Sequence, residues 1–198
     1  MKAFVKMITT RARRFARDDA GSMLSEAVMI LPVMIWCYLA FFVYWDSYRT
    51  VNMAQKAAYT ASDLVSREMA PLNSSYLPGV KSLMTYLVGN RADVHLRLTS
   101  LVFNEGENDQ DAQDADDSLQ VAWSISPANE MEPWTNATIS EVMDRIPKMA
   151  DGDTVVLLET TMDYVPLFDV GMSERQINNF VVTRPRFLPK ICLQDVEC

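Results

Sequence analysis

Hydrophobic positions are not spread evenly along the chain. From Ala27 to Trp45 the sequence reads AVMILPVMIWCYLAFFVYW, 19 residues without a charge. As a helix rising 1.5 Å per residue this run covers about 28 Å, enough to cross the hydrocarbon core of a bilayer. The pattern then changes. In DSYRTVNMAQKAAYTASDLVSREMA no Pro or Gly occurs before Pro71, and Val51, Ala54, Ala58, Ala61, Leu64 and Val65 recur at three- and four-residue spacing. That is the stripe of an amphipathic helix. One long helix from about Leu24 to Met69 is therefore predicted, apolar all round in its first half and one-sided in its second.

Beyond the helix the period changes to two. Asp93–Phe103 sets Val94, Leu96 and Leu98 against His95, Arg97 and Thr99, which predicts a strand with one wet face. Leu119–Ile125 repeats the alternation, and Thr154–Tyr164 and Asn179–Thr183 supply two more strands. Between the first two lies a stretch with seven acidic residues from Glu105 to Asp117 and no basic one, the composition of a solvated hairpin loop. Its spacing does not fit a calcium-binding EF-hand loop. A short helix is expected at Val80–Leu87. A surface helix is expected over Thr135–Met149, with Ile139, Val142, Met143 and Ile146 on one face. The fold class is α+β: a long N-terminal transmembrane helix continuing into an amphipathic stalk, packed on an antiparallel sheet of about four strands. The expected segments are 1–21, basic; 22–45, transmembrane; 46–70, amphipathic; and 71–198, an α+β head.

Charge orients this picture. Residues 1–20 hold six basic and two acidic side chains, whereas the remaining 178 hold 12 basic and 24 acidic ones. Positive charge flanking a span stays on the cytoplasmic side, so the long acidic part is expected to be exported. An acidic exported domain argues against nucleic acid as a partner. A cleaved secretory signal competes with this reading, but the apolar run is long and ends in FFVYWDSYR without a small-x-small site. Cys37 lies inside the run as a small apolar residue. Cys192 and Cys198 close the sequence, spaced for a small disulfide loop in an oxidising compartment or, alternatively, for a metal pair that lacks further ligands. With one histidine, His95, and no Gly-rich phosphate loop, no cofactor or catalytic constellation is expected.

One carboxylate interrupts the apolar pattern. Glu26 stands at the border of the span, five residues after Gly21. A charge inside a span costs on the order of 2–3 kcal/mol at the centre and less near the end, so it calls for a partner or for snorkelling to the interface. If the chain is cut after Gly21, Ser22 becomes a new N-terminus with a charged amine. Among parallel packed helices that amine and the Glu26 of a neighbour would neutralise one another, and only in one register.

The stretch RRFARDDAGSMLSEAVMILPVMIW resembles the start of the TadE/TadG-like minor pilins of the tight-adherence (Tad, or Flp) pilus system. The resemblance is carried by Arg13, Arg14, Phe15, Asp18, Asp19, Gly21, Glu26 and Pro32 and covers roughly residues 11–50. TMDYVPLF and VVTRPRF are weaker echoes of the same family. It implies a pseudopilin of the bacterial inner membrane, N-terminus cytoplasmic and head periplasmic, whose leader 1–21 is removed by prepilin peptidase between Gly21 and Ser22. Glu26 would be the assembly charge. The implied partners are other Tad minor pilins, the major Flp pilin, the inner-membrane assembly platform and membrane lipid, and the implied role is pilus biogenesis, secretion and surface adherence. A head of about 130 residues is too large for the major Flp pilin and too small for the added von Willebrand-type domain of longer relatives, which leaves a TadE-like or TadF-like subunit. The competing reading is an uncleaved single-pass anchor holding a periplasmic binding module.

Overall fold

The computed structural model describes residues 22–73, 75–90, 92–104, 118–194 and 196. Helix α1 spans Ser22–Ser66 without interruption, passing through Pro32. It ends where Arg67 and Glu68 close back on the Leu64 and Val65 carbonyls in tightened i to i−3 bonds. Pro71 then bars the residue before it from helical geometry. Helix α2 comes next at Tyr76–Leu87, longer than the expected Val80–Leu87, with Leu77, Val80 and Met84 buried.

Strands β1 (Val94–Asn104), β2 (Ser118–Ile125), β3 (Thr154–Tyr164) and β4 (Arg175–Thr183) form one antiparallel sheet in the order β2-β1-β3-β4. The fold class is thus α+β, with one long apolar N-terminal helix and a four-stranded antiparallel sheet. Cross-strand register fixes which side chains share a face. Leu98 stands opposite Leu158, and Leu158 opposite Val181. On this face Arg175 donates to Ser47 Oγ at 2.7 Å, and the hydroxyls of Ser62 and Thr183 are hydrogen-bonded. From Ser47 to Ser62 the helix advances about 22 Å, and from Arg175 to Thr183 the strand advances about 26 Å. The second half of α1 therefore runs alongside β4 in the same direction.

The opposite face carries Leu101, Leu119, Val155 and Leu157, packed with Ile139 and Val142 into one core cluster. Two expectations are corrected here. The segment expected as an α-helix over Thr135–Met149 is a 3-10 helix, Ile139–Arg145. Asn136 accepts a 2.7 Å hydrogen bond from the Val121 amide on edge strand β2, which commits the chain to covering the sheet. Pro147 disfavours helical geometry at Ile146, which is extended and ends the segment. The supposedly wet face of β1 is also covered: Thr99 is fully buried and Arg97 nearly so.

Strand β4 begins four residues before the expected Asn179, its first residues held by pairing with β3; Arg175, Gln176 and Asn178 lack the apolar alternation that marks a strand in sequence. The acidic stretch 105–117 lies outside the described residues. The chain's last described turns dock beside the end of α1, where Leu72 exchanges backbone hydrogen bonds of 2.9 Å with Cys192 and Gln194. Trp123 Nε1 donates to the Ile191 carbonyl in the same region.

Contacts divide the described chain into two compact units, and the boundary falls inside α1 between Trp45 and Asp46. The first unit joins the apolar half of α1 to Leu167–Met172; the second holds the rest of the described chain.

Candidate functional site

Every residue from Ser22 to Trp45 is uncharged except Glu26. This half of α1 is long and apolar enough to cross a membrane, and only 6% of its most apolar 18-residue stretch is buried. Met23, Leu24, Val28, Met29, Ile30, Leu31, Val33, Met34 and Ile35 are all exposed. Covering such a face stabilises by roughly 25 cal/mol for every Å² removed from water, and an exposed apolar face of this kind marks a contact surface. Glu26 is exposed at its foot. Near its top an open groove of about 410 Å³ is lined by Met34, Cys37, Tyr38, Phe41, Phe42 and Trp45. Apart from Cys37 its lining is large and mostly aromatic.

Of the residues expected to carry processing, Gly21 lies outside the described residues, and Ser22 is the first residue of α1 as described. Ser22 and Glu26 are one helical turn apart, about 6 Å along the axis. Cys37 is a free, exposed thiol. Cys192 is disulfide-bonded, while Cys198, expected as its partner, lies outside the described residues.

Two polar clusters on the sheet were not foreseen as sites. In the first, Glu159 Oε2 on β3 accepts from Arg97 Nε at 2.8 Å and Nη2 at 2.7 Å, and from Trp134 Nε1 at 2.6 Å. The Arg97 guanidinium stacks 4.2 Å from the centre of the Trp134 ring and also donates to the Glu132 carbonyl. Alternation alone set Arg97 on a wet face and gave no signal of this cluster. Every polar atom named here is matched, which makes the cluster a fastening between sheet and covering segment.

In the second cluster Lys81 Nζ on α2 lies 2.6 Å from Glu130 Oε1 and 3.2 Å from Asp93 Oδ1, while His95 Nδ1 lies 3.0 Å from Glu130 Oε2. Partial burial alone would lower the Lys81 pKa, but the hydrogen bonds and charges of Glu130 and Asp93 outweigh it and raise it. The Glu130 carboxyl is held below the ordinary carboxylate range, chiefly by the Lys81 hydrogen bond, against burial and with help from His95. Asp93, His95 and Glu130 could converge on a metal ion, since their ligand atoms lie within 4.8 Å of one another. Lys81 already stands as the cation between both carboxylates, so the group is complete as an ion cluster. His95, expected as a lone surface residue, thus has a partner.

Neither a protein-family model, nor a curated protein, nor a solved structure matches this chain.

Proposed function

We propose that the chain is a membrane-anchored structural subunit, a TadE/TadG-like minor pilin that prepilin peptidase cuts between Gly21 and Ser22. The observation that supports this reading most is the bare apolar half of α1 with its one carboxylate, Glu26, at the foot. A surface of that kind is built to be covered by lipid and by other spans, and one charge in such surroundings selects register. After the cut, the Ser22 amine of one subunit and the Glu26 carboxylate of its neighbour neutralise one another when the two helices are offset by about one turn, roughly 6 Å.

In this reading the basic leader stays in the cytoplasm and the acidic α+β domain is periplasmic. The partners are prepilin peptidase, other Tad pilins and the inner-membrane assembly platform, and the role is pilus biogenesis and the adherence and secretion that depend on it. No catalytic role is assigned to the chain. Replacing Gly21 with Phe tests the processing step, because a peptidase site fitted to glycine does not accept a bulky ring. The precursor should accumulate uncut and be visible as the heavier species by mass. An unaltered cut in Gly21→Phe would show that cleavage does not read Gly21 and would contradict processing by prepilin peptidase at this site.

A further inference from the structure

The connection between β3 and β4 carries an apolar tip. In VPLFDVGM, Val165 is 62% exposed, Leu167 70% and Phe168 40%, while Val170 is buried. Loop tips that face water are ordinarily polar, and a cluster of exposed large apolar residues marks a contact surface. The strands on either side belong to the sheet unit, yet Leu167–Met172 belongs to the same compact unit as the apolar half of α1. Phe168 meets Phe42 edge to face, with ring centroids 6.3 Å apart.

That contact sets a depth. Asp46 is the first charge after the apolar run, and Phe42 lies three residues before Trp45, about 4.5 Å lower along the helix axis. A side chain touching Phe42 therefore stands at the level where the span leaves the hydrocarbon. Phe41, Tyr44 and Trp45 are exposed at that level, as residues of an aromatic interfacial belt are.

We propose that the tip of the β3–β4 connection, Leu167 and Phe168, is a second membrane contact, inserted into the headgroup and acyl boundary of the outer leaflet beside the apolar half of α1. This rests on the reading of α1 as a span. Lipid is the occupant favoured by depth: the tip is continuous with the surface of a helix whose neighbouring residues must themselves lie in the bilayer. Asp169, exposed next to Phe168, stays hydrated among the headgroups.

The test is collision accessibility of a nitroxide in the full-length Cys37→Ser protein, reconstituted at one copy per lipid nanodisc. Leu167→Cys carries the reporter at the tip, Met34→Cys serves as the reference within the span, and Tyr86→Cys serves as the water reference, its native side chain being 72% exposed. The proposal expects Leu167→Cys to show a severalfold loss of collision with a water-soluble nickel complex relative to Tyr86→Cys, and a gain in collision with oxygen. Nickel access equal to that of Tyr86→Cys, with Met34→Cys protected, would overturn the proposal and leave the span intact. Nickel access at Met34→Cys would overturn both. Protection at Leu167→Cys that arises only in discs holding two copies would assign the tip to a neighbouring subunit and also overturn it.

Discussion

Arg97 and Glu159 place a charge pair between the sheet and the segment that covers it, with the side chains only 11% and 12% exposed. Removing one member of such a pair leaves the other charge buried without its match. Arg97→Ala should therefore cost about 3–5 kcal/mol of stability, read from denaturant unfolding of the full chain. Arg97→Lys should recover part of that loss, since it restores charge but neither the forked donor nor the stacking on Trp134. Equal stability of the alanine and wild-type proteins would show that the cluster holds nothing together.

The Lys81 cluster adds a pH dependence. Glu130 binds its proton less readily when folded than when unfolded, so its contribution is full above the ordinary value of 4.5 and is lost as pH falls through the lowered one. Lys81 behaves in the opposite sense, contributing up to its ordinary 10.5 and losing that contribution as pH climbs through its raised value. Glu130→Gln should flatten the acid limb of the melting temperature below about pH 4.5. An unchanged acid limb would contradict the assignment. Both clusters were illegible in the sequence because alternation assigns polar strand positions to water. It cannot see the cross-strand register that sets Glu159 opposite Arg97, nor a covering layer from residues 130–146 that brings Trp134 to one cluster and Glu130 to the other.

At the scale of elements, the second half of α1 shows what kind of stripe a sheet selects. The alternation of apolar residues pointed to Val51 and Leu64, yet Val51 is half-buried and Leu64 is exposed. The buried line keeps the expected Ala54, Ala58, Ala61 and Val65 and adds Ser47, Thr50, Ala57, Ser62 and Ser66. Size decides here more than hydrophobicity. Two of the line's hydroxyls are satisfied within the helix, Thr50 Oγ1 on the Asp46 carbonyl and Ser66 Oγ on the Asp63 carbonyl, both at 2.8 Å, and two across to β4, Ser47 by Arg175 and Ser62 by Thr183.

Ala58→Leu should accordingly destabilise the protein by roughly 1–3 kcal/mol through overpacking, measurable by thermal or denaturant unfolding. A neutral effect would mean that the helix rides loosely on the sheet. The long helix and β3 were readable to within a few residues, because each carries a strong period of its own. The 3-10 segment was not, since its apolar spacing is that of an α-helix and only its anchoring to β2 through Asn136 decides otherwise.

For the whole molecule, the division at Trp45 and Asp46 coincides with the first charge after the apolar run. That charge is where the composition changes from an uncharged run to a mixed one. What composition could not supply is the role proposed for Glu26, which would lie in an encounter between chains. If Glu26 pairs with the new amine of a neighbour, Glu26→Ala should be cut as efficiently as wild type but assemble poorly, giving mature subunit in the membrane and few pili by shearing and microscopy. Normal piliation in Glu26→Ala cells would remove the pairing.

The most direct measurement is the intact mass and N-terminal sequence of the protein purified from membranes of cells with and without their prepilin peptidase. A chain beginning at Ser22 in the first and still carrying residues 1–21 in the second is the predicted result. A chain carrying residues 1–21 in both would contradict the pilin account and leave a single-pass anchor with an acidic domain.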